Sequence, residues 1–309
     1  GGSSSGAAVS VASGAAWAAL GPDTGGSIRI PAALNGLVGF KSTARLVPTD
    51  GTVPLSPTLD TACALTRSVR DAVLIHEILA DRKVAKDERS LKQWRLAVPR
   101  SVFFDDIEPA VRTAFDRSIA QLQAAGAQIE WIDLPELHEL DRVNAIGGFS
   151  PTESYAWHRH FLQAPEKAAL YDPRVRSRIE RGARMSAADY LDLLAARKSW
   201  IAQMQSAIAP YDALLSPTTP IVAPTIASVA PADGKDTAAD AQRDEAFVRV
   251  NGLLLRNTSV VNMLDGCALS LPCHNADELP MGLMVWHAAL HDDDVLNIST
   301  AIEAVLNPN

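Results

Sequence analysis

Helices and short apolar strands alternate along this chain of 309 residues, and the alternation predicts an α/β sandwich around a mixed sheet. Two further observations support this prediction. Apolar residues make up 47% of the chain, which is enough to bury a large core in one domain or two smaller ones. Some connections between predicted strands are too short to hold a crossover helix, so part of the sheet should be antiparallel.

The first 134 residues contain three predicted helices and three predicted strands. Small residues from Ala7 to Ala19 predict a closely packed helix, and a short strand follows near Ala18 to Gly21. A surface helix is predicted from Ser68 to Leu79, because apolar residues recur at helical spacing and Ser68 is a suitable N-cap. A strand–helix–strand unit follows: Arg95–Pro99, Glu108–Ala125 and Ala127–Leu134.

The remainder is predicted to begin with helices and then to contain both strands and helices. The section from about Asp141 to Ala209 is rich in Arg, Ala and Leu and predicts helices, whereas the polar segment Asp233 to Asp244 predicts a mobile surface insertion. The later elements are predicted as strand Ala213–Ser216, helix Glu245–Arg256, strands Cys267–Leu271 and Gly282–Trp286, and helix Asp293–Leu306.

Charge and cysteine content exclude several classes of function. The net charge is −8 and no basic run is present, so nucleic acid is not an expected partner. The three cysteines lack metal-ligand spacing and are too few for a disulfide scaffold, which favours free thiols in a reducing compartment such as the cytoplasm. No apolar run approaches the roughly 20 residues that span a bilayer. We therefore expect no metal, no cofactor and no membrane partner.

The segment Asp23-Thr24-Gly25-Gly26-Ser27 is a candidate centre for nucleophilic catalysis. A serine hydroxyl needs a neighbouring base, and the oxyanion that its attack creates needs hydrogen-bond donors. Two glycines before Ser27 permit a tight turn whose N–H groups converge near the hydroxyl. The alternative is a glycine turn that only links a strand to a helix.

The first residues, GGSSSG, allow several interpretations on their own. Gly/Ser composition is typical of flexible linkers. Gly2, Ser4 and Gly6 also satisfy the G-x-S-x-G pattern of a nucleophile elbow, which requires a preceding strand and later Asp and His partners. The combination with the later motif is more specific than either part.

GGSSSG, a small-residue helix, G-x-DTGGSIR-x-PA and NGLVGFK together resemble the amidase signature family, continuously from Gly1 to Lys41. The resemblance implies a three-layer α/β/α sandwich around a mixed sheet and a single domain over residues 1–309. It implies that Ser27 is the nucleophile and that Ser3, 24 residues earlier, is the bridging serine, held by a cis peptide bond. The implied oxyanion hole consists of backbone N–H groups of Thr24, Gly25, Gly26 and Ser27.

Four further residues are expected to support this site. Asp23 and Arg29 flank the nucleophile, and we expect them to fix its turn through a hydrogen-bonded ion pair. Ser4, with Ser5, is expected to hydrogen-bond the serine loop.

The family's triad also contains a lysine, which lies upstream of the bridging serine. Lys41 is the lysine nearest the motif, but it belongs to a downstream element that we interpret as structural. We therefore expect residues 1–309 to be the C-terminal portion of the domain, without the section that carries the lysine, and to be inactive alone. An apolar surface is then expected beside the Ser3 loop.

Three functions are consistent with this resemblance. The leading one is an amidase that hydrolyses a small-molecule carboxylic amide through an acyl-enzyme. The second is the A subunit of a glutamyl- or aspartyl-tRNA amidotransferase, a branch that usually has Gln at the position of Ile30. The third is a non-catalytic homologue or inactive fragment. Neither the particular amide nor the oligomeric state, for which a homodimer is one option, follows from the sequence.

Overall fold

An eight-stranded sheet crosses the molecule in the computed structural model, which describes residues 1–307. The strands are β1 Ala19–Pro22, β2 Val38–Lys41, β3 Ala62–Thr66, β4 Arg95–Pro99, β5 Gln128–Ile132, β6 Ala213–Pro217, β7 Cys267–Pro272 and β8 Gly282–His287. Their order in the sheet is β1-β3-β2-β7-β8-β6-β4-β5. β4 pairs in parallel with β5 and β6, and the other pairs are antiparallel, so the predicted mixed sheet is confirmed.

Helices pack on both faces of this sheet. They are α1 Ser5–Ala12, α2 Arg29–Ala33, α3 Val69–Leu79, α4 Pro109–Ala124, α5 Glu139–Ala145, α6 Phe149–Leu162, α7 Pro165–Ala168, α8 Pro173–Glu180, α9 Ala187–Ile208, α10 Thr237–Met263 and α11 Asp292–Leu306. The predicted strand–helix–strand unit is confirmed as β4, α4 and β5, and Ser68 caps α3 by accepting from the N–H of Asp71.

Two hydrophobic cores lie on opposite faces of the sheet. One contains Phe115 of α4 and Val295 of α11, and the other contains Trp200 of α9. Adjacent residues of β6 alternate between them, because Leu215 belongs to the first core and Leu214 to the second. The sheet is therefore the middle layer of a three-layer α/β/α sandwich.

The segment Asp233–Asp244 lies at the surface, as predicted, but from Thr237 onward it forms the first turns of α10 and is not an irregular insertion. Asp236 caps the helix: its side chain accepts hydrogen bonds from the N–H groups of Ala238 and Ala239. The alanines that follow favour helix strongly. The first turns of α10 are largely exposed and contain few apolar residues, so the composition of this segment did not indicate a helix.

The first predicted helix is shorter than expected. α1 ends at Ala12, and Gly14 follows with φ of +79°, a left-handed conformation that suits glycine and ends the helix. Three exposed apolar side chains follow the serine loop along the chain. They are Val9 in α1, Trp17 in the connection after α1, and Leu20 in the edge strand β1. The apolar surface expected beside the Ser3 loop stays a prediction.

In the part of the chain that the structure describes, no helix is both long enough and apolar enough to cross a membrane.

Candidate active site

The turn between β1 and α2 is built around the buried carboxylate of Asp23. Its Oδ1 accepts a 2.9 Å hydrogen bond from the Gly26 N–H and another of 2.9 Å from Arg29 Nη2, while Oδ2 accepts from Arg29 Nε at 3.0 Å. Both side chains are fully buried. The ion pair expected between Asp23 and Arg29 is thus present, with the paired geometry that suits a guanidinium and a carboxylate.

Electrostatics keep Asp23 ionised. Burial alone would raise its pKa, but the charge and hydrogen bonds of Arg29, with Lys41 and Asn262, lower the pKa of Asp23 to about 2. The carboxylate therefore holds the turn at any pH near neutral.

Gly26 occupies a position that only glycine suits. Its φ is +131°, and a β-carbon there would lie 2.7 Å from both Ile30 Cδ1 and Thr258 Cβ. The N–H of Gly26 already donates to Asp23, whereas the N–H groups of Thr24, Gly25 and Ser27 have no acceptor among residues 1–307. Three of the four N–H groups predicted for an oxyanion hole are thus unpaired within residues 1–307. The fourth, that of Gly26, would have to break its hydrogen bond to Asp23 in order to bind an oxyanion.

The C-terminal half of α10 holds this turn from the side, a contribution that the sequence analysis missed. Thr258 Oγ1 donates a 2.6 Å hydrogen bond to the Gly25 carbonyl. Asn262, one helical turn later, donates from Nδ2 to Asp23 Oδ1 at 3.0 Å and accepts at Oδ1 from Arg29 Nη2 at 2.6 Å. The only local signal for these residues is the run of polar side chains on an otherwise apolar buried helix face.

A second support comes from the loop before β3. Asp60 Oδ1 accepts a 2.5 Å hydrogen bond from the hydroxyl of Thr24, and its Oδ2 accepts from the N–H groups of Leu55 and Ser56 at 3.0 Å each. Thr61 donates from Oγ1 to the Asp23 carbonyl at 2.7 Å. The turn that carries Ser27 is therefore held on one side by α10 and on the other by this loop.

The serine loop reaches the turn through its backbone. The N–H of Ser4 donates to the Ser27 carbonyl at 3.3 Å, and the hydroxyl of Ser5 donates to the Gly1 carbonyl at 2.8 Å. The peptide bond between Gly2 and Ser3 is cis. Ser3 is exposed and Ser27 is half-buried. No hydrogen bond joins their hydroxyls in the described structure, so the structure brings the two segments together without a direct contact of this kind.

A sequence model of the family described as Amidase matches residues 1–296 of this chain. The chain belongs to the amidase signature family. The match includes the serine loop, the Asp23–Arg29 turn and the part of α10 that supports it.

Two curated amidase relatives match nearly the whole chain. It is 33% identical to a 2-amino-5-chloromuconic acid deaminase of Comamonas testosteroni over 311 residues, which cover 99% of this chain and 64% of that protein. It is 30% identical to an indoleacetamide hydrolase of Agrobacterium vitis over 323 residues, which cover 99% of this chain and 67% of the relative. The chain thus spans about two thirds of the length of these relatives.

Solved structures of the family share the fold. One amidase crystal structure is 33% identical and superimposes with a TM-score of 0.85, over 99% of this chain and 67% of that one. The S177A variant of the Kluyveromyces lactis allophanate hydrolase is 27% identical, also with a TM-score of 0.85, over 100% of this chain and 50% of that one.

In this amidase signature chain, Lys41 is buried at the end of β2. Its Nζ donates to the carbonyls of Ser42 at 2.9 Å and Gly266 at 2.6 Å. Burial, followed by repulsion from Arg29, lowers the pKa of Lys41. The bond to Gly266 joins the end of β2 to the residue that precedes β7, whereas the bond to Ser42 is local.

Within residues 1–307, no group of three or more His, Cys, Asp or Glu side chains is arranged to hold a metal ion.

Proposed function

We propose that the protein carrying this chain hydrolyses a small-molecule carboxylic amide to an acid and an amine or ammonia. The observation that carries the proposal is the half-buried Ser27 in a turn whose neighbouring N–H groups, those of Thr24, Gly25 and Ser27 itself, have no acceptor within residues 1–307. Such N–H groups are the donors that a tetrahedral oxyanion requires. Membership of the amidase signature family supports the same reaction.

The reaction proceeds in two halves. Ser27 Oγ attacks the amide carbonyl carbon, and its proton passes to a base as the negatively charged oxygen turns toward the unpaired N–H groups. The carbon–nitrogen bond then breaks, the amine leaves with that proton, and an acyl ester remains on Ser27. A water molecule attacks the ester and releases the acid, which restores the serine.

Proton transfer in this proposal runs through Ser3 to a lysine. Lys41 is assigned a structural role because its Nζ is engaged by two carbonyls. We assign the base to a lysine outside residues 1–309, and we propose that residues 1–309 are the C-terminal portion of a single domain. A lysine serves as a base near neutral pH when burial and neighbouring charges lower its pKa.

The site favours an amidase that acts alone over an amidotransferase subunit. Ile30, where the amidotransferase branch usually has Gln, is buried in an apolar cluster with Leu34, Ile221 and Leu254 beside the turn.

Cys63, Cys267 and Cys273 are free, buried thiols, which supports a reducing compartment such as the cytoplasm.

The test is Ser27→Ala in the protein that carries this chain, assayed on indoleacetamide and simple aliphatic amides and by labelling with a fluorophosphonate. We expect hydrolysis to fall by at least roughly 10³-fold and the labelling at Ser27 to vanish. Ser177→Ala is the matched control, since Ser177 is exposed on α8 and should leave both unchanged. Hydrolysis that survives in Ser27→Ala overturns the assignment of the nucleophile. A wild-type protein that neither hydrolyses these amides nor reacts with the probe supports a non-catalytic homologue.

A further inference from the structure

A carboxylate that accepts four hydrogen bonds, that of Glu153, lies outside the catalytic turn, where α6 meets the loop before β3. Glu153 Oε2 accepts from the Ser56 hydroxyl at 2.5 Å and from the Thr58 N–H at 3.1 Å. Its Oε1 accepts from the hydroxyls of Thr58 and Tyr190, the latter at 2.6 Å. Nothing in the proposed reaction uses this cluster.

Hydrogen bonds, rather than an ion pair, hold the Glu153 carboxylate. Among residues 1–307, no Lys, Arg or His nitrogen lies within 4.0 Å of the Glu153 carboxylate. An ionised carboxylate offers about four acceptor positions, and four donors occupy them here. Hydrogen bonds to an ionised acceptor are roughly twice as strong as neutral ones, so the charge of Glu153 tightens the loop that supplies three of the donors.

That loop leads directly to the catalytic turn. The N–H of Ser56, whose hydroxyl donates to Glu153, donates to Asp60 at 3.0 Å, and Asp60 in turn accepts from the hydroxyl of Thr24 at 2.5 Å. Ser56 is buried, and Thr58 and Asp60 are half-buried, so water competes weakly for these contacts. A continuous series of hydrogen bonds therefore joins α6 to a residue whose N–H is a proposed oxyanion donor.

We propose that Glu153 is a positioning residue for the oxyanion turn, acting through Ser56, Thr58 and Asp60 on Thr24. The inference rests on the proposed function for its effect on rate. Glu153 touches no reacting atom; it fixes the loop in which Asp60 orients Thr24. The helical section that contains α6 thus takes part in setting the geometry of the catalytic turn.

The first test is Glu153→Gln. The amide keeps the shape of the side chain but replaces one acceptor oxygen by an NH₂ donor, so the four donors can no longer all be satisfied. We expect kcat on an amide substrate to fall about tenfold while KM stays within about twofold, because the loss affects the transition state more than substrate binding. Glu166→Gln, an exposed glutamate of α7 in the same helical section, is the matched control and should leave kcat unchanged.

A double-mutant cycle separates positioning from a general loss of structure. If Glu153 acts through Asp60, Glu153→Gln combined with Asp60→Asn should lower kcat no further than the more severe single variant. Glu153→Gln combined with Thr258→Val should give multiplied effects, because Thr258 reaches the turn from α10. Multiplied effects for Glu153 and Asp60 would overturn the proposed route, as would an unchanged kcat in Glu153→Gln.

Hydrogen exchange supplies a readout that does not need activity. In Glu153→Gln, peptides covering residues 23–28 should exchange several times faster than in wild type, while peptides of α11 stay unchanged. If the wild-type protein hydrolyses no amide, the proposed function fails, but this exchange result still decides whether Glu153 orders the turn. Equal exchange of residues 23–28 in the two proteins refutes the inference whatever the activity.

Discussion

The side chain of Thr258 fills the space that a β-carbon on residue 26 would need. A β-carbon there would lie 2.7 Å from Thr258 Cβ, and the Thr258 hydroxyl is bonded to the neighbouring Gly25 carbonyl at 2.6 Å. The close approach of helix α10 therefore depends on the absence of a side chain at Gly26. The same helix supports Asp23 through Asn262. The shape of the turn that carries Ser27 and the position of α10 are thus mutually dependent.

Gly26→Ala should therefore destabilise the protein and disorder the turn. The substitution combines a strained positive φ with contacts too short for a methyl group, and each effect costs about 1–3 kcal/mol. We expect the free energy of unfolding, measured in urea, to fall by about 3 kcal/mol, and fluorophosphonate labelling of Ser27 to be lost.

Gly252→Ala is the control for this prediction. Gly252 lies in α10, and a β-carbon there would meet no atom within 4 Å. Because alanine favours helix over glycine by about 1 kcal/mol, this variant should be as stable as wild type or more stable. Equal stability of Gly26→Ala and wild type would contradict the argument for Thr258.

Much of the fold could be predicted because its signals are local. The unit from β4 to β5 shows apolar strands around an amphipathic helix that ends at a glycine, and all of these lie within one short stretch. β2 and β3 carry no such signal: Val38–Lys41 is only four residues long and buried throughout, so its side chains show no alternation. β2 takes its place in the sheet by pairing with β7, far along the chain, and β3 lies between β1 and β2.

The residues of the candidate site likewise fall into a local group, which the sequence predicts, and a long-range group, which it does not. Asp23, Arg29 and Ser27 lie in one contiguous motif, and the sequence therefore brought them together. Thr258 lies 233 residues from Gly25, and its contact with the turn depends on how α10 packs. One sequence with no partner information cannot indicate such a contact, because a threonine on a buried helix face suits many environments.

Asp23→Asn should be costly at neutral pH. The variant leaves the Arg29 guanidinium buried without its anion, and breaking a buried pair in this way costs about 3–5 kcal/mol. Because the pKa of Asp23 is lowered to about 2, its ionised form stabilises the fold above the unfolded value of 3.8, and this stabilisation is lost as the pH falls toward 2. The difference in unfolding free energy between wild type and variant should therefore shrink between about pH 4 and pH 2.

Denaturant unfolding over that pH range measures this difference. Asp116→Asn is the control, because its pair with Arg112 is exposed on α4 and should contribute little at any pH. A difference between wild type and Asp23→Asn that stays constant down to pH 2 would show that the charge of Asp23 does not stabilise the turn.

His287 should make the protein less stable in mild acid. Burial and then the charge of His291, whose ring centroid is 3.8 Å away, lower the pKa of His287 to about 4. Its Nε2 lies 3.0 Å from the Tyr211 carbonyl, so the neutral ring carries its proton there and donates it. The unfolded chain binds a proton near pH 6.5 and the folded chain only near pH 4, so stability is complete above pH 6.5 and is lost as the pH falls toward 4.

The shift corresponds to about 3 kcal/mol, which should appear as a slope in unfolding free energy between pH 7 and pH 4. His287→Gln keeps a donor for the Tyr211 carbonyl but cannot titrate, so its slope in this range should be smaller than that of wild type by about that total. His160→Gln, an exposed histidine of α6, should retain the wild-type slope. If His287→Gln also retained it, His287 would have to be protonated equally in the folded and unfolded chains. Burial of its ring at the end of β8 would then carry no electrostatic cost.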